Sequence, residues 1–137
     1  TPVSLLLDAC GGVKDGTYKL IAGGPMMGMA QASADFPVAK GTGAVLAFAG
    51  NENKVSEDPT CIRCGRCVEY CPMGLEPVEV NQAYAARDVQ ELGKLHVDYC
   101  FNCGSCTFVC PAKRPCTQMM GLAKAFYLGE IKKGGNK

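Results

Sequence analysis

Apolar and polar positions are patterned differently in the two halves of the chain. Leu5 to Cys10 is a short, mostly apolar run with Ser4 before it and Gly11-Gly12 after it. Ser is a favoured helix N-cap and Gly a favoured helix stop, so a short helix is predicted over 5–10. Tyr18 to Ala22 and Ala44 to Ala49 have strand length and strand composition. The first leads into Gly23-Gly24-Pro25-Met26-Met27-Gly28, and the second is entered through Gly41-Thr42-Gly43, so both are predicted strands bounded by turns. Two strands and one helix make a thin core for a segment of about 50 residues.

The second half reads as helical. Pro77 suits a first helical turn, and the stretch from Pro77 to Gly93 is rich in Ala, Gln, Glu and Arg, which are helix formers or neutral. Asp88-Val89-Gln90-Glu91 has the spacing of a capping box and predicts another short helix ending at Gly93. Pro115 is predicted to open a longer helix. Cys116, Met119, Met120, Ala123 and Tyr127 form an apolar stripe at helical period along it, and Lys132 and Lys133 favour its C-terminal end. Between the halves, the polar stretch from Asn51 to Pro59 predicts a linker over 51–59. The expected domains are therefore 1–50 and 60–137.

Composition narrows the function classes. The 137 residues suit one ordinary domain or two small ones. Lys plus Arg is 14 against 13 Asp plus Glu, which gives no basic excess for a nucleic-acid partner. No apolar run approaches the ~18 residues of a membrane span. The chain starts Thr1-Pro2-Val3-Ser4, with neither a Met nor a signal-peptide pattern, and reads as a piece of something longer. An apolar fraction of 47% with 20% charged residues reads as globular. Trp is absent and aromatics are 7%, so something other than bulky side chains is expected to hold part of the fold together.

The ten cysteines supply that something. Cys10 is alone in the first half; the other nine fall between 61 and 116. Cys61, Cys64, Cys67, Cys71 and Pro72 repeat as Cys100, Cys103, Cys106, Cys110 and Pro111, shifted by 39 positions (100 − 61). Each copy is C-x2-C-x2-C-x3-C-P, the bacterial ferredoxin run for a [4Fe–4S] cluster. A cubane offers four iron corners, each wanting one thiolate, and two-residue gaps let one tight loop reach three of them. Gly65 and Gly104 relieve crowding where the backbone wraps the cluster, and the proline after the fourth cysteine is expected in the first turn of a helix. In two-cluster ferredoxins the fourth cysteine of each run serves the other cluster. The expected ligand sets are Cys61, Cys64, Cys67 and Cys110 for the first cluster, and Cys100, Cys103, Cys106 and Cys71 for the second. Structural zinc uses paired C-x2-C halves, not four cysteines in one short run, and a disulfide framework lacks a secretory context. The helix-forming linker between the runs favours an all-helical ferredoxin module over a βαβ one, giving an α+β chain overall. Nothing resembles an acid–base pair or a nucleophile, so no catalytic residue is expected.

The stretches Gly23 to Gly28, Pro37-Val38-Ala39-Lys40 and Cys61 to Cys67, with Val109 to Pro115 and Leu122-Ala123-Lys124, closely resemble the RnfC family, a component of the Rnf electron transport complex. The resemblance implies a peripheral subunit on the cytoplasmic face of the cell membrane, without a span of its own. The complex passes electrons between NADH and ferredoxin and couples the transfer to sodium or proton movement. It also implies that the first half is part of a β-grasp (SLBB-type) domain and the second the helical dicluster module. The NADH and FMN sites are expected upstream. Partners would be the other subunits of the complex, with a ferredoxin or flavoprotein as a further candidate. The layout is also similar to the cobalamin reductase of propanediol-using microcompartments, an electron relay to a corrinoid. A redox-silent iron–sulfur scaffold is the alternative of another class.

The remaining singular residues carry plainer expectations. Gly23 to Gly28 lacks the Lys-Ser/Thr of a phosphate loop and is expected to be a tight turn packing Met26 and Met27 against a neighbour. Cys10 and Cys116, each on an apolar helix face, are expected to be buried small hydrophobes. Cys116 stands where the Rnf family usually has an aliphatic residue, which argues against a ligand role. His96, the only histidine, is read as a surface or loop residue. Arg63 and Arg66 lie inside the first run, where the second has Asn102 and Ser105. Positive charge stabilises a reduced cluster, so the first is expected to have the higher potential; simple solvation of both arginines is the alternative.

Overall fold

The structure, a computed structural model, describes residues 1–50 and 60–134. The stretch predicted as a linker, 51–59, lies outside the described residues. The backbone divides into two compact units, Thr1–Lys54 and Val55–Lys137.

The first unit holds helix α1 (Val3–Ala9) and strands β1 (Thr17–Ala22), β2 (Met29–Gln31) and β3 (Val45–Ala49). The strands form one antiparallel sheet in the order β2-β1-β3. β2 is unexpected: it is three residues long and its exposed Met29 and Ala30 give no apolar pattern. Ser4 does not cap α1. Instead the first helical amides are taken by backbone, with Val3 N–H donating to Phe36 O at 3.0 Å and Ser4 N–H to Ala34 O at 2.9 Å. This partner segment replaces the expected side-chain cap. Gly11 and Gly12 do stop the helix, both at positive φ. The glycine-rich segment is the β1–β2 hairpin loop, closed by Gly28 N–H to Gly24 O at 2.8 Å. A Cβ on Gly28 would overlap the Ile21 side chain and lie 2.6 Å from Gly24 O, so this position admits only glycine. Met26 and Met27 are exposed, correcting the expectation that the turn packs them inward. Val3 and Ile21 are the buried hydrophobic residues of this unit, a core as thin as predicted.

The second unit is helical among the described residues: α2 (Arg66–Glu69), α3 (Pro77–Ala85), α4 (Val89–Lys94), a 3-10 turn (Val97–Tyr99), α5 (Ser105–Phe108) and α6 (Cys116–Gly134). Pro77 occupies the first turn of α3. Asp88 caps α4, its Oδ1 accepting from Glu91 N–H at 2.9 Å. Leu75, Val80, Ala83, Leu92, Val97, Met120 and Ala123 form the core. Phe126 and Tyr127 flank it, the former meeting Tyr84 edge-on at 5.8 Å. α4 and α6 approach closely at Gly93, where a Cβ would sit 2.9 Å from the Tyr127 hydroxyl. Arg87 lies over both the Tyr84 and Phe126 rings, 4.8 and 5.0 Å from their centroids, covering the aromatic edge of the core.

Each cysteine run has the same local path. A loop carries the first two cysteines, a glycine at positive φ (Gly65, 75°; Gly104, 88°) begins a four-residue helix, and a turn follows. Nothing lies within 4 Å of a Cβ placed on Gly65, so there the requirement is the left-handed backbone and not crowding among protein atoms. Arg63 and Asn102 share positive φ at equivalent places, as do Gly74 and Lys113. Pro72 and Pro111 lie in turns, not in first helical turns as expected. The helices begin later, at Pro77 and Cys116, because the chain must first turn away from the fourth cysteine.

Candidate metal centre

The eight motif cysteines gather into two cavities. Cys61, Cys64, Cys67 and Cys110 line the first, of about 400 Å³ counting its open mouth. Cys71, Cys100, Cys103 and Cys106 line the second, of about 300 Å³ on the same footing. Each run thus contributes three cysteines to one cavity and its fourth to the other. All ten cysteines are free thiols. Among the described residues no three Cys, His, Asp or Glu side chains converge on a single-ion site. Such a site needs sulfurs about 2.3 Å from one point. A cubane needs four thiolates spread around a volume, one for each iron, and a four-sulfur cavity is that kind of arrangement. The donor set, all sulfur, fits iron–sulfur ligation.

The surroundings of the sulfurs differ between the sites. At the second, Leu75 N–H donates to Cys71 Sγ at 3.3 Å, Cys103 Sγ lies 3.4 Å from Ser105 Oγ, and Cys106 Sγ lies 3.5 Å from Thr117 Oγ. Thr117 N–H donates to Thr107 Oγ at 2.8 Å, and the two threonine hydroxyls are 2.8 Å apart. One arrangement satisfies all three contacts: the Thr117 amide donates to Thr107, the Thr107 hydroxyl to Thr117, and the Thr117 hydroxyl to the Cys106 sulfur. The first site is richer in charge and more open. Arg63, Arg66 and Arg114 line it, and Cys64 is exposed.

Burial pushes the Cys67 and Cys106 thiols above their ordinary pKa. Neighbouring cysteines add to the rise, Cys61 and Cys110 for the former and Cys100 and Cys103 for the latter. The amides of Cys67 and Val68 oppose it at Cys67, and the Thr117 hydroxyl and Thr107 amide oppose it at Cys106. Without metal these thiols hold their protons at neutral pH, so loading iron must displace protons.

Three residues at the sites carried no functional reading in the sequence. Thr107 and Thr117 pair across a turn that spacing does not reveal. Asn81, on α3, lines the first cavity, is 4% exposed, and has no hydrogen-bond partner for Oδ1 or Nδ2. Leaving a buried amide unsatisfied costs about 1–3 kcal/mol. Cys116 is buried as expected and also lines the first cavity. Cys10 is exposed, correcting the expectation of burial: it follows the last residue of α1 and is not on its packed face. His96 is exposed, on a left-handed residue, with its ring stacked on Tyr99 at 5.2 Å.

Residues 60–113 match the family described as the 4Fe-4S dicluster domain. The chain is 43% identical over 95 residues to the C component of the ion-translocating oxidoreductase complex of Rhodobacter capsulatus, covering 69% of this chain and 18% of that protein. It is 46% identical over 71 residues to the C component of the proton-translocating ferredoxin:NAD(+) oxidoreductase complex of Clostridium ljungdahlii, covering 52% of this chain and 16% of the relative. With the Na(+)-translocating counterpart from Acetobacterium woodii the identity is 39% over 88 residues, 64% of this chain and 20% of the relative. The chain spans a fifth or less of the length of these relatives. No helix among the described residues is long and apolar enough to cross a membrane. By these matches the chain is a homologue of RnfC, a component of the Rnf ion-translocating electron transport complexes.

Proposed function

We propose that this chain is the electron-relay segment of an RnfC-type protein, holding two [4Fe–4S] clusters with crossed ligands. Cys61, Cys64, Cys67 and Cys110 hold the first, and Cys100, Cys103, Cys106 and Cys71 the second. The observation that carries this reading is the partition of the eight sulfurs between two cavities, three from one run and one from the other in each. When bound, each cluster supplies a one-electron redox centre.

The chain's own residues do three things at these sites. The cysteines fix the centres to two loops and two helix approaches, tying the repeats into one unit. Arg63, Arg66 and Arg114 place positive charge on the first site, which favours its reduced form. The Leu75 amide and the Thr117 and Ser105 hydroxyls supply hydrogen bonds to sulfur at the second. Among the described residues no group is placed to transfer protons or attack a substrate. The chemistry is electron passage alone.

On this reading the protein works in a redox-driven, ion-translocating oxidoreductase, the activity that the relatives' names describe. Its partners are the other subunits of that complex, with a ferredoxin or flavoprotein as electron donor or acceptor. It sits peripherally on the cytoplasmic face of the membrane. NADH and FMN sites fall upstream of this segment. The first unit, with its three-stranded sheet and helix, is part of a β-grasp (SLBB-type) domain, and 51–59 links it to the relay.

The test is iron and acid-labile sulfide analysis of anaerobically purified protein, with EPR after dithionite reduction. About eight irons per chain and a spectrum broadened by two nearby reduced centres is the expected result. About four irons would leave a one-cluster carrier, and zinc in place of iron would defeat the redox reading altogether.

A further inference from the structure

The 39-residue repeat relates the two cavities, yet their walls differ at one buried position. Val78 and Asn81 of α3 line the first cavity; Thr117 and Met120, at the equivalent places on α6, line the second. Met120 is an apolar core residue, 1% exposed. Asn81 is buried as deeply on the scale of side chains, at 4%, but it is an amide with no partner. Buried amides are almost always hydrogen-bonded. The side chain carries two N–H donors, and the cavity it lines contains four cysteine sulfurs, which become acceptors once deprotonated.

We propose that the Asn81 side-chain N–H donates to a sulfur of the cluster held in the first cavity, raising the reduction potential of that site alone. The proposal rests on the assignment of a cluster to Cys61, Cys64, Cys67 and Cys110. A donor to sulfur stabilises the extra negative charge of the reduced state more than the oxidised one. Burial strengthens the effect, because little water competes for the same sulfur. At the matching place on its helix the second site has Met120, which donates nothing. Its amide, Asn102, is exposed on the loop, with Oδ1 3.5 Å from Cys100 Sγ. Asn81 is therefore a positioning and tuning residue for one site, and the repeat is functionally unequal.

The test compares the iron-loaded chain with Asn81→Leu, which keeps size without a donor, and Asn81→Met, which copies the second site. Iron per chain is measured first, then both potentials by EPR-monitored redox titration, with the second site identified through Cys100→Ser. The expected result is unchanged iron and a first-site titration moved downward. The reduced-to-oxidised ratio at fixed potential should fall about tenfold, which is 59 mV for a one-electron couple. The second site should not move, and Asn81→Gln, which restores an amide, should recover part of the shift. Unmoved potentials at full iron content, or movement of the second site instead, overturn the proposal. Should both apolar variants lose iron, pulsed EPR of Asn102→Ser protein labelled with ¹⁵N-asparagine decides: nitrogen coupling at the first site supports the contact, and its absence rejects it. Native protein that binds no iron at the first site overturns both the site assignment and the proposal, and the iron count reveals that case before any potential is read.

Discussion

Pro77 and Cys116 hold the same place in the two halves of the repeat, and each lines the cavity that contains the fourth cysteine of its own run. Pro77 lies with Cys71 in the second cavity and Cys116 with Cys110 in the first. The turn after each fourth cysteine thus delivers both that cysteine and the next helix to the other run's site. Serine at position 71 should therefore damage the cluster held by Cys100, Cys103 and Cys106 while sparing the one beside it in sequence. Cys110→Ser should do the reverse. Mössbauer and EPR spectra of the two variants separate the cases, and damage confined to the run that carries the substitution would mean ligation is not crossed.

The Thr107–Thr117 pair predicts two separable effects. Thr117→Val removes the hydroxyl 3.5 Å from Cys106 Sγ but keeps the Thr117 amide donating to Thr107. Its main consequence should be a lower potential at the second site, with little loss of stability. Thr107→Val removes the acceptor for a partly buried amide. That variant should lose about 1–3 kcal/mol in chemical denaturation. Equal destabilisation by both substitutions, with neither potential altered, would reduce the pair to a structural turn.

The arginines around the first site give a prediction with its own signature. Arg63 and Arg66 are exposed, so their field is screened by salt. Replacing both with Ala should lower the first potential at low ionic strength, and the difference from native protein should shrink as salt is added. The contribution proposed for buried Asn81 should persist in the same salt series. A redox titration at two salt concentrations distinguishes a field from a hydrogen bond.

What is legible in the sequence follows the range of each interaction. The cysteine runs, Asp88 as a cap, Pro77 as a helix start and the stripe through Cys116, Met120 and Ala123 depend on neighbours within a turn or two, and spacing records them. The α1 cap is not legible because Phe36 and Ala34, some thirty positions away, take the amides that Ser4 is expected to serve. β2 is hidden because three residues with an exposed pattern become a strand only through pairing with Leu20, Ile21 and Ala22. Asn81 looks like an ordinary helix residue. Its character comes from the cavity it faces, which two distant runs enclose together.

Cys10 and Cys116 should differ sharply toward thiol reagents, because the thiolate is the reactive form and must be both accessible and ionised. Cys10 is exposed. Cys116 is buried, and that burial, with the cysteines at 110, 106 and 67 adding to it, pushes its thiol from the ordinary value of 9.0 up to about 12. A thiol is neutral when protonated, so folding holds Cys116 in its neutral form. Any stability it contributes is complete below about pH 9 and is lost as pH rises toward about 12, where the unfolded chain ionises and the folded one resists. At pH 8, iodoacetamide should therefore label Cys10 of the iron-loaded protein within minutes and leave Cys116 untouched until the protein is denatured. Peptide mass spectrometry reads both sites in one digest. Rapid labelling of Cys116 in the folded protein would show that the first turn of α6 opens to solvent, and the wall assigned to it at the first site would have to be withdrawn.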